Sequence, residues 1–245
     1  MRNRFINITW VVLLAAVSCN RPDAPDCLQL AGIDGRLEGS LSEFTRLTLK
    51  SNVDYILHID SNWHYTVEGP INLLGDITFN KSKNSLEVRN ENTCNLIRNK
   101  KRRILIHIYA PFFYEFDIQS QGSLICSDTL RQSLQVYYND ANCNSVWLIS
   151  NDSTRFEYPK GTGDITIRGK STFGWLYSNA IGKIDGSKWI SQNLSVHHNS
   201  LQDISVHPIQ YLHAEIHNKG NLWIPQYPIV WDKTETDEGR LLIMP

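Results

Sequence analysis

The chain reads as an all-β protein, a right-handed parallel β-helix or β-solenoid of about 20-residue coils, with a β-rich N-terminal part continuing into it. Three observations predict this class. Short segments alternate or run apolar between turns rich in Asn, Asp, Gly, Ser and Lys, the period of strands rather than helices. No window beyond the first eighteen residues sustains an amphipathic helical repeat. Two columns of apolar residues also keep step through the second half at about 20 residues, the mark of a repeated unit.

In chain order, residues 1–18 come first, with a basic start (Arg2, Arg4), an apolar run from Trp10 to Ala16, and the small ending Val17-Ser18 before Cys19. The run is much shorter than the roughly 20 residues that a spanning helix needs, so it reads as a secretory signal. Ala16-Val17-Ser18-Cys19 resembles a lipobox, in which the cysteine thiol is acylated and becomes the new N-terminus; it departs from the usual pattern in lacking Leu at the position of Ala16. Two or more acyl chains give stable anchoring. The alternative is an ordinary signal whose cleavage happens to precede a cysteine. Residues 19–27, polar and holding two prolines, form a lipidated tether too poor in apolar residues to fold.

Residues 28–110 form the β-rich N-terminal part, with strand signals at Leu47-Thr48-Leu49, Tyr55 to Ile59, Tyr65-Thr66-Val67, Ile77-Thr78-Phe79, Leu86-Glu87-Val88 and Ile104 to Ile108. Residues 111–245 hold the repeats. One column runs through Leu124, Val146, Ile165, Ile184, Ile204 and Leu222; the other runs through Phe116, Val136, Phe156, Leu176, Val196 and Ala214. A unit of this size cannot bury its own apolar face, so the units must stack. Six rungs at a strand spacing of about 4.8 Å give an axis of roughly 25–30 Å. The competing arrangement is a β-sandwich whose hairpins are evenly spaced.

Several segments carry a family resemblance. Phe44, Asn72-Leu73-Leu74, Ser85-Leu86-Glu87-Val88 and Ile104 to Pro111, leading into the Gly122 turn, follow in the order of the putative auto-transporter adhesin, head GIN domain family. Leu212 to Ile216, Gly220 to Trp223 and Tyr227-Pro228 resemble its closing pattern, so the likeness covers residues 33–245. It implies a β-helical, exported, often lipid-anchored protein of Bacteroidota-type bacteria, with adhesion suggested by the family's name. Where the family's turns are Ser-Gly-Ser-Gly, this chain has Asn139 to Asn142, Pro159 to Thr162, Ser178 to Ala180 and His198 to Ser200.

Loss of residues 1–18 leaves 22 basic against 25 acidic residues, a formal charge of −3, which argues against nucleic acid as a partner. The one basic cluster, Arg98, Lys100, Lys101, Arg102 and Arg103, reads as a solvated loop. Cys27, Cys94, Cys126 and Cys143 show no C-x-x-C spacing; Cys126, on an apolar alternation, reads as a core residue, and disulfide pairing is left open. No nucleophile elbow, zinc-protease, phosphate-loop or dinucleotide motif occurs, and no cofactor is implied.

Five histidines lie between His197 and His217, and those two make a weak metal-site candidate with Glu215 or Asp203, set against surface or capping roles. Asp164, Asp185 and Asp203 recur at similar points of successive coils, as turn aspartates bonding their own backbone do. The outward slot beside the first column reads Trp147, Thr166, Asp185, Ser205 and Trp223. Trp147, Tyr177 and Trp223 are the candidate ligand-contacting aromatics. The combined reading is a non-enzymatic cell-envelope lipoprotein, anchored to the outer membrane and binding glycan or protein through its repeated face. The alternatives are a polysaccharide-active enzyme on the same fold and a structural spacer.

Overall fold

The computed structural model describes residues 31–92 and 103–245. The expected signal segment, Cys19 and the expected tether, Cys27, Cys94 and residues Arg98 to Arg102 lie outside the described residues. Among the described residues alternation produces seventeen strands: β1 (Asp34–Ser40), β2 (Arg46–Ser51), β3 (Asp54–Ile59), β4 (His64–Pro70), β5 (Ile77–Ser82), β6 (Ser85–Asn90), β7 (Leu105–Ala110), β8 (Glu115–Ser120), β9 (Ser123–Cys126), β10 (Leu134–Ala141), β11 (Asn144–Gly161), β12 (Ile165–Ser178), β13 (Ile184–His198), β14 (Ile204–Ile216), β15 (Leu222–Ile224), β16 (Val230–Glu235) and β17 (Leu241–Ile243). A single helical turn, α1 (Ile71–Leu74), sits among them.

From β10 onward every coil pairs in parallel with the next, which makes the repeat a β-solenoid and overturns the sandwich alternative. Strands β11 to β14 are long because each bends through a corner and pairs on both sides of it, with register shifts there in β12–β13 and β13–β14, so its first half lies on one face and its second half on another. We call these the back and front faces. The front column Phe116, Val136, Phe156, Leu176, Val196 and Ala214 is in register throughout, as the spacing predicts. It continues the other way into Leu47 and Leu86.

The back column needs one correction. It runs Leu124, Ser145, Ile165, Ile184, Ile204 and Leu222, so Ser145 rather than Val146 points inward. A one-residue slip exchanges the two faces of a strand, and Trp147 therefore belongs to the interior, with 0% of its surface exposed. The expected ligand contact at Trp147 is wrong for that reason. Small Ser145 leaves volume that Trp147 fills. Its indole donates from Nε1 to the Tyr138 hydroxyl at 2.8 Å, and that hydroxyl lies 2.5 Å from Ser145 Oγ. Trp147 stands edge-on to Phe116 and Phe156, and Phe156 edge-on to Trp189, a spine of T-shaped contacts between the faces. Trp189 is also fully buried, and a Cβ on Gly174 would come within 2.6 Å of its ring.

The N-terminal part joins this core out of chain order. Coil β2–β3 lies between β6–β7 on one side and β8–β9 on the other, with Tyr55 beside both Ile106 and Leu124. Antiparallel strands close the N-terminal end: β4 on β7, β1 on β4, and β5 on β6. Cys126 is a free buried thiol in the core, as its alternation predicts, and Cys143 is buried likewise.

The turns stack as tightly as the strands. Backbone amides of one coil are bonded by the carboxylates and carboxamides of the coil before. Asn144 accepts from Asp164 N, Asp164 from Lys183 N, Asp203 from Asn221 N, and Asn221 from Arg240 N. Asp164 and Asp203 thus recur because they bond the next coil rather than their own turn, and Asp185 stands in a different column, beside Thr166 and Ser205.

Candidate binding face

Strand alternation that sends apolar residues inward sends a polar and aromatic set outward on the front face. Arg155, Trp175, Ser195, His213 and Asp232 occupy one outward column, and Glu157, Tyr177, His197, Glu215 and Thr234 the next. Arg155 Nε donates to Glu157 Oε1 at 2.6 Å, which holds the guanidinium 3.8 Å over the Trp175 ring. Such a cation–π pair contributes on the order of 0.5–1 kcal/mol at an open site. Trp175 lies nearly parallel to Tyr177, 17° apart at 6.3 Å, and 5.4 Å from the His197 ring. The strip is therefore braced by its own side chains.

Towards the C-terminal end the strip becomes an imidazole–carboxylate network. Glu215 faces His197 at 2.8 Å, His213 at 3.3 Å and His217 at 3.5 Å. Hydrogen bonds from His197 and His213 hold the Glu215 carboxyl below its usual range. His213 also bonds Asp232, which accepts from the Tyr211 hydroxyl at 2.8 Å; the bond to Asp232 raises the His213 pKa and lowers that of Asp232.

His197 and His217 both flank Glu215, the grouping that the sequence suggested. His197 stands opposite Glu215 across the two coils, and Asp203 lies on the back face bonded to Trp223. Among the described residues no group of three or more His, Cys, Asp or Glu side chains stands in a metal-holding arrangement. His198, next along the chain, points into the core, where burial lowers its pKa to about 4 and its Nδ1 accepts from Ser200 N.

The back face offers a different feature, a cleft of about 400 Å³ lined by Lys183, Asp185, Ser187, Asp203, Ser205 and Trp223, with Ile204, Met244 and Pro245. Trp223 follows Ser205 and Asp185 in the outward slot, as the sequence predicts. Its Nε1 donates to Asp203 Oδ2 at 2.7 Å, fixing the indole plane. Burial opposes charge on Asp185 and Asp203, but hydrogen bonds outweigh it and hold both carboxyls below their usual range.

Of the three candidate aromatics, Tyr177 lies on the front strip, Trp223 in the back cleft and Trp147 in the core. Sequence reasoning missed Trp175 and Arg155 as a pair. The signal was present, because extending the front column one residue back aligns Gln135, Arg155, Trp175 and Ser195.

Stacked parallel coils with a braced outward strip define a β-solenoid. The chain belongs to the family described as putative auto-transporter adhesin, head GIN domain, whose family model matches residues 43–225. Among solved structures it is similar to a putative adhesin from Bacteroides fragilis, with a TM-score of 0.78 at 12% identity, covering 88% of this chain and 99% of that one. It is also similar to a putative lipid binding protein from Parabacteroides distasonis, with a TM-score of 0.64 at 15% identity, covering 87% and 98%. A putative adhesin from Parabacteroides merdae gives 0.59 at 13%, covering 87% and 97%. At these identities the likeness concerns the fold. No curated protein matches.

Proposed function

We propose that this chain is an exported, lipid-anchored and non-enzymatic adhesion module that holds glycan on its front strip. The observation that carries the reading is the braced run Arg155, Trp175, Tyr177 and His197, where aromatic faces alternate with hydrogen-bonding groups on coils of fixed spacing. The C–H face of a sugar packs on an aromatic ring while its hydroxyls bond flanking polar groups. A lipid guest is disfavoured because Phe116, Trp147, Phe156 and Trp189 fill the space between the faces. Export and anchoring rest on the signal-like residues 1–18 and the lipobox-like Ala16 to Cys19.

A glycan array probed with the purified chain tests the binding claim. Binding to a defined set of glycans that Trp175→Ala removes is the expected result, and silence across glycans of varied charge and linkage removes the proposal. Growth with an alkyne fatty acid tests the anchor: label incorporation should require Cys19, and equal labelling of Cys19→Ser would refute it.

A further inference from the structure

The back cleft has a composition of its own, and it is independent of the strip assigned above. Its floor is a column of short outward side chains, Asp185 and Ser205, ending against the tall indole of Trp223 on the next coil. Neighbouring coils lie about 4.8 Å apart, so the step makes a shelf one ring wide with an aromatic wall. The wall is fixed by the bond from Trp223 Nε1 to Asp203 Oδ2.

The polar groups on the shelf face one way in hydrogen-bonding terms. Ser187 Oγ donates to Asp185 Oδ1 at 2.7 Å, Ser205 Oγ donates to the same oxygen at 2.9 Å, and Ser187 N donates to it at 3.1 Å. Both serine protons are thereby used. What the shelf offers a guest is Asp185 Oδ2 and the serine lone pairs, all acceptors. Two carboxylates, Asp185 and Asp203, also stand against one ammonium, Lys183, so an anion entering the cleft meets net repulsion.

We infer that this cleft is a second binding site, a seat for a single sugar ring that carries hydroxyl or ammonium donors and no carboxylate. The ring lies with its C–H face on Trp223 and its donors on Asp185, Ser187 and Ser205. A volume of about 400 Å³ suits one such ring rather than a chain. The site faces away from the front strip, so one molecule can hold two glycan contacts at once, with the gain in avidity that two linked sites bring.

The test uses saturation-transfer NMR and calorimetric titration of the purified full chain with three probes: methyl N-acetylglucosaminide, methyl glucosaminide and methyl glucuronide. The first two should receive saturation and bind at least about tenfold more tightly than the glucuronide. Trp223→Ala should weaken them about tenfold or more, and Trp223→Phe should keep most of the affinity. Asp185→Asn, at a surface position that spares the core, should weaken the glucosaminide most. Equal binding of the glucuronide, full affinity in both Trp223→Ala and Asp185→Asn, or no saturation of any probe would overturn the inference. An array signal lost in Trp175→Ala with no probe bound would remove this site while leaving the front strip in place.

Discussion

At the scale of single residues, the inward or outward turn of a side chain decides whether it is structural or available. Trp147 is the clearest case, since its aromatic character suits a ligand contact and its register places it in the core. Trp147→Ala should cost about 3–5 kcal/mol in urea unfolding and leave the glycan profile unchanged where protein remains folded; the reverse pattern would restore it as a contact. The slip was legible only in part. The predicted column had steps of 22 and 19 residues around Val146, uneven beside its neighbours, but a serine in a column of Leu and Ile offers no hydrophobic signal of its own.

His198 carries a pH effect with a defined sign. Burial depresses its folded pKa from 6.5 to about 4, so the unfolded chain takes up a proton in that window and the folded one does not. The stability it supports is present above pH 6.5 and is lost as pH falls towards 4. His198→Leu should flatten the urea midpoint across that range, and a wild-type midpoint independent of pH there would contradict the assignment.

At the scale of elements, the strands were legible because alternation with a period of two follows directly from backbone geometry. The corners were less so, since their logic is between coils: an Asp or Asn on one turn bonds the amide of the next, 18 to 20 residues later. Stacking also demands residues without side chains. A Cβ on Gly182 would lie 2.0 Å from the Gly163 carbonyl oxygen, a backbone atom that cannot swing aside. Gly182→Ala should therefore destabilise by about 1–3 kcal/mol, read as a lowered melting temperature, and an unchanged one would mean that the turns are not stacked as described.

The last front-face strand, β16, is built against further stacking. In β16 the position beside Ala214 is Lys233, and Lys233 Nζ donates to Glu235 Oε1 at 2.9 Å where an apolar pair would invite another coil. Charges at a strand edge discourage edge-to-edge pairing. Lys233→Ile combined with Glu235→Val should produce concentration-dependent association beyond that of the wild type in sedimentation velocity, and a variant that sediments like the wild type would show that the charges are incidental.

At the scale of the whole molecule, the fold class was readable from two columns in step, whereas the order of the first coils was not. The chain lays down β2–β3, passes to β6–β7 on one side and returns to β8–β9 on the other. Nothing in alternation or composition records which coil lies beside which when their sequence separation is not a constant period. The candidate site divides in the same way. Trp223 followed from the slot it occupies, while the front strip needed the register that puts Arg155 over Trp175 and His197 beside Glu215.

The resulting object is a rod with two faces, its interior filled and its outward rows fixed by the coil spacing. On the proposed reading, recognition depends on rows of side chains rather than on a cavity between layers, and the front strip is the row on which that reading rests. Calorimetric titration of the strongest array glycan into wild-type chain and Trp175→Ala tests that reading most directly. The account predicts at least a tenfold loss of affinity with an unchanged melting temperature; equal affinity in the two proteins would contradict it.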